Sequence, residues 1–432
     1  MQFQISPSDA QVDQKVAIQI SNLSPHQEAT INAKTTDESG TIWISNATFQ
    51  ADEHGIINLT TQRPQKGTYT QTNAMGLFWS MQPLIEEKNK TFFATPTGQS
   101  LTIYFNVEAK DHSPIEVVHR RSFSSTHCSV TTIKDQRLQA TSYHPIDNGP
   151  YPGIILLSGS SGASRNADAA LLAAHGYYTL ALSYFGPPPL PSSLQEIPLE
   201  YIQTAIQWLQ ASPQVRHDQI AIMGISKGAE LALLAGTMFP EIKAVIGYAP
   251  SALVHQGLGA TQEDASERSS WTYHGKPVPF LPFRPSLAFQ GYVTKQQQVQ
   301  EPIAFYTAYM DSLRNSQYLE QASIPVEKIQ GSIVLLSGQD DQMWPSALFG
   351  EMIKERLDTH HHPYPYQHII YPNAGHKLGY PYVPTTVSQA RGNAYGGTPE
   401  GNAHANEDAW RRVLKFLQQT FGPTKFAYKA SE

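Results

Sequence analysis

A chain of 432 residues with 40% hydrophobic and 15% charged residues suits a soluble globular protein with a sizeable core, and its length predicts two or three domains. A net charge of −6 argues against a nucleic-acid binder or a polybasic membrane module, and the single cysteine, Cys128, excludes an intrachain disulfide and reads as a small packed apolar residue. The opening Met1-Gln2-Phe3-Gln4-Ile5-Ser6-Pro7 has no basic segment followed by an apolar one, and no stretch approaches about 18 uninterrupted apolar residues, so neither a signal peptide nor a transmembrane helix is expected and a cytoplasmic enzyme is the default.

Residues 1–112 show no helical periodicity. Short apolar or alternating runs at 16–20, 30–33, 40–44 and 101–105 are separated by clusters of Ser, Pro, Asp and Gly. That pattern predicts an antiparallel β-sandwich. Residues 65–83 carry several turn-formers and are expected to form a loop that crosses the sandwich or lies against the next domain.

Over residues 113–432 the grammar changes. Residues 115–143 read as strands of a meander or hairpin leading into Pro150-Tyr151-Pro152, and 153–157 form a continuous apolar run expected of a strand buried on both faces. Strand candidates at 178–182, 220–224, 244–248, 333–336 and 368–371 alternate with helix candidates at 168–175, 199–210, 227–238, 346–357 and 407–420. Ile202, Ala205, Ile206 and Leu209 repeat at helical spacing, as do Trp410, Val413, Leu414 and Leu417. This alternation predicts a doubly wound, mostly parallel sheet covered by helices on both faces. Residues 251–330 interrupt it with Pro, Gln, Gly and aromatics, and are expected to form a cap or excursion over the sheet's C-terminal edge.

Gly224-Ile225-Ser226-Lys227-Gly228 lies where a strand candidate meets a helix candidate. The pattern is short enough to arise by chance, so its context carries the weight. A strand turning sharply into a helix presents the serine at the tip, and the flanking glycines let strand and helix pass closely. The helix N-terminus beside it favours a developing oxyanion. A serine hydroxyl also needs a base, and a carboxylate to orient that base. In a doubly wound sheet these groups come from just beyond strand ends. Ser337-Gly338-Gln339-Asp340-Asp341 follows one downstream strand and Pro372-Asn373-Ala374-Gly375-His376 the last one. The chain order Ser226, Asp341, His376 matches that of α/β-hydrolases. Asp341 is favoured over Asp340 because its position between Gly338 and Pro345 fits the Gly-x-x-Asp-x-x-x-Pro turn of that fold. Asp340 would then be more exposed, or cap the helix that follows.

His376 stands apart from the other histidines because it directly follows the last strand candidate. His360-His361-His362 reads as a surface or structural group, and no carboxylate or cysteine spacing supports a metal there. The oxyanion hole is expected from the backbone N–H of Lys227 and that of Ser160, in the glycine-rich stretch 157–162. That stretch lacks the Gly-Lys-Ser/Thr ending of a phosphate-binding loop. The Lys227 side chain is expected to be exposed or salt-bridged on the first helical turn. No cofactor or metal is expected.

The segments 224–230, 338–344 and 371–376 resemble the acyl-CoA thioesterase and bile-acid-CoA:amino-acid N-acyltransferase family. The resemblance extends to residues 212–215, 324–327 and 396–399 and covers most of the chain. It implies an N-terminal immunoglobulin-like sandwich before an α/β-hydrolase domain, a triad on Ser226, Asp341 and His376, and long or branched acyl-CoA thioesters as the substrate class. Family members that transfer acyl groups to glycine or taurine carry cysteine at the nucleophile position, so Ser226 favours hydrolysis. The final Lys429-Ala430-Ser431-Glu432 lacks a Ser-Lys-Leu type of peroxisomal signal. Residues 159–165 and 251–300 depart from the family pattern.

The function expected is therefore hydrolysis of fatty acyl-CoA to free acid and CoA through an acyl-enzyme. Acyl-CoA is the expected small-molecule partner, with no nucleic acid and no membrane insertion. The alternatives are an acyl-CoA:amino-acid N-acyltransferase, a carboxylesterase or peptidase of the same fold, and a non-catalytic binding protein that uses the sandwich.

Overall fold

The computed structural model describes residues 1–85, 91–96, 100–124, 128–134, 137–147, 149–259, 267–314 and 316–424; the C-terminal residues 429–432 lie outside this set. The N-terminal region is all β. One sheet pairs Gln2–Ser6, Ala17–Ser21 and Ile57–Asn58. The other runs through Asp9–Gln11, Ile115–Ser122, Leu101–Ala109, Glu28–Thr36, Ile42–Gln50 and Lys66–Gly67, with Gln82–Pro83 also on Ile42–Gln50. Along Glu28–Thr36, Ala29, Ile31, Ala33 and Thr35 point inward, the period-2 alternation of a half-buried strand. Phe3 of one sheet meets Phe105 of the other with ring centroids 5.7 Å apart.

The strand Ile115–Ser122 pairs antiparallel with Leu101–Ala109 and parallel with Asp9–Gln11. The boundary expected at 112/113 therefore falls between two hydrogen-bonded strands, and the sheet runs on to Ser122. Residues 109–115, polar and turn-rich like a linker, form a hairpin turn in which His112 N–H donates to Ala109 O and Asp111 takes a φ of 62°. The 65–83 segment is mostly loop, with one helical turn at Gly76–Trp79. It lies against the second half of the chain, where Thr385 and Thr386 hydroxyls donate to the Trp79 and Met81 carbonyls.

The second half is built on eight strands: β1 (Cys128–Lys134), β2 (Gln139–Pro145), β3 (Tyr151–Leu157), β4 (Tyr178–Ser183), β5 (Val215–Ile225), β6 (Ile242–Tyr248), β7 (Ser332–Gly338) and β8 (Tyr366–Tyr371). Their spatial order is β1-β2-β4-β3-β5-β6-β7-β8, with β2 antiparallel to its neighbours and every other pair parallel. Helices α1 (Asn166–Ala174), α2 (Glu200–Ala211), α3 (Lys227–Met238), α4 (Ser346–Thr359) and α5 (Pro399–Phe421) cover it.

Alternate strand residues feed two cores. Ile155, Leu157, Ile222, Val245 and Leu335 pack under α2, α3 and α4. Ile154, Leu156, Met223, Ile246 and Val334 face α1 and α5, and that core continues without a break into the N-terminal sheets. This is an α/β-hydrolase fold preceded by an all-β region.

Two details depart from the sequence pattern. Helix α5 begins at Pro399 rather than 407, because Thr398 caps it by accepting the Gly401 N–H, and its first turns bury Asn402 and Asn406 instead of an apolar stripe. The 251–330 excursion contains helices Leu287–Val299, Tyr306–Ser312 and Ser316–Ala322. It bonds to the loops beyond β7 and β8 through Tyr306 N–H to Gln342 O and Ile303 N–H to Gly392 O.

Candidate active site

Between β5 and α3 the backbone at Ser226 takes φ 57°, ψ −125°, a conformation that costs a non-glycine residue roughly 1–3 kcal/mol. Close approach holds it there. A Cβ at Gly224 would stand 2.0 Å from the Gly228 carbonyl oxygen, and one at Gly228 2.2 Å from that of Ser158. Ser226 N–H donates to Tyr248 O at 2.9 Å, and Ser226 O accepts the N–H groups of Ala229 and Glu230. The hydroxyl is thus displayed at the C-terminal edge of the sheet. Lys227 N–H, on the first turn of α3, and exposed Ser160 N–H, in the loop after β3, meet no protein acceptor among the described residues. Two backbone donors are therefore unspent on the loops that meet at the elbow.

Asp341 and His376 are joined directly. His376 Nδ1 lies 2.8 Å from Asp341 Oδ2, and both side chains are buried. The same Oδ2 accepts the Ser346 hydroxyl at 2.6 Å, while Oδ1 accepts the N–H groups of Met343 and Trp344. An acid so held presents one face to the imidazole and leaves Nε2 as the ring's outer nitrogen. Asp340 is exposed, and its Oδ2 accepts Gly397 N–H at 2.8 Å instead of capping α4. Among the described residues no hydrogen bond joins Ser226 to His376; such contacts tighten when substrate arrives. All three residues sit beyond the C-terminal ends of β5, β7 and β8.

The His376 loop has its own fittings. His376 N–H donates to Tyr395 O at 2.8 Å, and the Asn402 and Asn406 amide oxygens of α5 accept Gly375 and Gly379 N–H. Trp344 meets the imidazole edge-on at 5.8 Å, and Tyr395 lies 6.0 Å away on another side. Phe92, from the N-terminal region, packs edge-on against Tyr395 at 4.8 Å. None of these fittings was singled out from sequence. The Asn402 and Asn406 spacing on a capped helix was a readable signal, whereas nothing local links Phe92 to residue 395.

The Lys227 side chain is salt-bridged, one of the two arrangements expected, but it is fully buried. Its Nζ contacts Glu230 Oε1 at 2.6 Å and Oε2 at 2.8 Å, and the Trp271 indole N–H donates to the same carboxylate. Burial opposes both charges, lowering the Lys227 pKa and raising that of Glu230 against their mutual attraction. Nearby His255 is held well below its ordinary value, first by burial and then by Lys227, so its ring stays neutral. His362, of the histidine run, is buried and lies 3.3 Å from Gly331 O.

The comparisons with known proteins point one way. Residues 13–135 match the family described as acyl-CoA thioester hydrolase/BAAT N-terminal region, and 197–423 that described as BAAT/acyl-CoA thioester hydrolase C terminal. The chain is 28% identical over 418 residues to a mouse protein named acyl-coenzyme A thioesterase 2, mitochondrial, covering 95% of this chain and 87% of that one. It is 30% identical to mouse acyl-coenzyme A thioesterase 6 (94% and 93% covered) and 27% identical to the mouse peroxisomal succinyl-coenzyme A thioesterase (95% and 94%). Two of these names place their bearers in mitochondria and peroxisomes, compartments other than the cytoplasmic one expected here. No described helix is long and apolar enough to cross a membrane.

Proposed function

The chain belongs to the acyl-CoA thioester hydrolase/BAAT family, and on that premise we propose that it hydrolyses fatty acyl-CoA to free acid and CoA, with Ser226 as nucleophile, His376 as base and Asp341 as the orienting acid. The observation that carries this reading is the buried His376–Asp341 pair at the same sheet edge as the strained serine elbow. His376 Nε2 takes the Ser226 proton as the hydroxyl adds to the thioester carbonyl, and Asp341 stabilises the imidazolium through Nδ1–H. The N–H groups of Lys227 and Ser160 receive the oxyanion. Collapse expels CoA, whose thiol pKa of about 8.5 makes it a good leaving group, and the His376 imidazolium passes its proton to the departing sulfur and returns to the neutral ring. Water activated by His376 then attacks the oxygen ester, and the acid leaves.

The all-β region, which we take to end after Ser122, supplies Phe92 to the wall near His376. Ser226→Ala should lower kcat at least about a thousandfold while the protein still folds and binds acyl-CoA. Hydrolysis of an acyl-CoA with millimolar glycine or taurine present, with free acid and amide quantified, completes the test. More than a tenth of wild-type turnover in the variant would remove Ser226 as nucleophile. Predominant amide from the unmodified enzyme would make it an N-acyltransferase.

A further inference from the structure

One oxygen of the orienting acid carries two partners. Asp341 Oδ2 accepts His376 Nδ1–H at 2.8 Å and the Ser346 hydroxyl at 2.6 Å. Ser346 opens α4 and is fully buried, with its own N–H donating to Trp344 O. A hydroxyl that donates to the oxygen facing the imidazole does two things at once. It fixes where that oxygen stands, and it draws off part of the charge that holds a proton on the ring. The mechanism above uses the carboxylate and leaves this hydroxyl without a task.

The serine is itself braced. The Ser337 hydroxyl, at the C-terminal end of β7, donates to Ser346 O at 3.1 Å, and Ser337 Oγ lies 2.9 Å from His368 Nε2 of β8. His368 Nδ1 stands 2.8 Å from Glu351 Oε1, on the second turn of α4. That helix covers the ring so closely that a Cβ at Gly350 would come within 2.2 Å of His368 Nε2. A chain of contacts therefore runs from Asp341 through buried Ser346, Ser337 and His368 to Glu351, whose side chain is 56% exposed. Ser337, His368 and Glu351 repeat the hydroxyl, imidazole and carboxylate of a catalytic set, but Ser337 lies wholly buried, out of reach of a substrate carbonyl. The chain instead holds the first turn of α4, and Ser346 with it, against β7 and β8.

Building on the thioesterase reading and its triad, we propose that Ser346 is a positioning residue of the reaction. Its hydroxyl, braced through Ser337, sets the Asp341 oxygen against His376 and tempers it, so that the ring is free to take the Ser226 proton at lower pH than the bare pair would allow. The groups around the pair leave this effect visible. Tyr395 beside the ring and Tyr309 of the excursion, which packs on Trp344, are both pushed upward by burial and stay uncharged. Asp340 turns away to Gly397 N–H. Lys377, next to the base in sequence, is pulled down to about 7 by desolvation, but it titrates alike with and without the Ser346 hydroxyl and cancels in a comparison.

The test follows kcat/KM from about pH 5 to about pH 9 on an acyl-CoA and on a p-nitrophenyl ester. Ser346→Ala should lower kcat about tenfold with KM within about twofold, and should move the acid limb up by about half a unit to one unit. Ser346→Cys fills the same space with a weak donor and should move the limb the same way, whereas Ser346→Thr keeps the hydroxyl and should return it. Ser337→Ala loosens the same helical turn without touching Asp341, so it should lower kcat less and leave the limb in place. An acid limb unmoved in both Ser346→Ala and Ser346→Cys would overturn the proposal. So would an equal shift in Ser337→Ala, which would make the effect a general loosening of α4. Wild-type turnover of the ester but of no acyl-CoA would remove the thioesterase reading alone, with the positioning role decided by the ester profiles. Turnover of neither by folded wild-type protein would remove both.

Discussion

Four protons converge on the Asp341 carboxylate: two backbone N–H groups, the Ser346 hydroxyl and His376 Nδ1–H. Its neighbour Asp340 faces solvent and holds one backbone N–H. The two side chains differ by one position in sequence and by the whole of their surroundings. Asp341→Asn should therefore cost about 10⁴ in kcat, because the amide leaves His376 in the wrong tautomer, while Asp340→Asn should cost under about tenfold. Steady-state rates of both variants decide the assignment, and the reverse ranking would transfer the acid role to Asp340. The glycine and proline that frame Asp341 were enough to choose between the two in sequence. The Ser346 hydroxyl was not, because nothing in a linear pattern says which serine turns inward.

Helix α3 shows where element-level reading stops. Its existence, its glycine-flanked start and its place after β5 follow from apolar runs and turn chemistry. The Lys227 and Glu230 spacing even announces a pair on one helix face. What turns that pair from a surface feature into a buried one is Trp271, from the excursion whose composition looked only irregular. The buried pair should behave as a unit. Removing one partner, as in Glu230→Gln or Lys227→Met, should cost about 3–5 kcal/mol by stranding the other. Replacing both with apolar residues of similar volume should be less damaging than either single change. Urea unfolding of the three variants checks this, and additive losses would show that the two side chains act independently. The strand at Ile115–Ser122 was expected, but its place in the N-terminal sheet escaped the pattern, as did the polar first turns of α5, since pairing and capping, not hydrophobic period, define them.

At the scale of the molecule, the all-β region and the hydrolase half share one apolar core. Polar contacts pin that shared surface. Asp13 Oδ2 lies 2.5 Å from His175 Nε2 and accepts the Trp410 indole N–H at 2.9 Å. Burial pushes the Asp13 carboxyl up, but the His175 and Trp410 hydrogen bonds and the attraction of the imidazole outweigh it, leaving its pKa below the ordinary value. A carboxyl lowered by folding stabilises the fold above its unfolded pKa of about 3.9, and that stability is lost as pH falls through the folded value. Asp13→Asn should thus lower stability by about 1–3 kcal/mol at pH 7, and the gap from wild type should narrow below about pH 4. Urea midpoints across pH 3–7 measure it; a gap independent of pH would mean that the charge on Asp13 does not matter. The Asp13–Trp410 contact also spans 397 positions. At roughly 5–20 residues per second of synthesis, the carboxylate waits on the order of 20–80 seconds for its partner to be made. A chain stopped or cut before α5 keeps the serine elbow, but loses both this clasp and the Asn402 and Asn406 amides that hold the His376 loop. A copy cut before α5 should accordingly hydrolyse acyl-CoA far more slowly than the full chain, even though its serine elbow is intact.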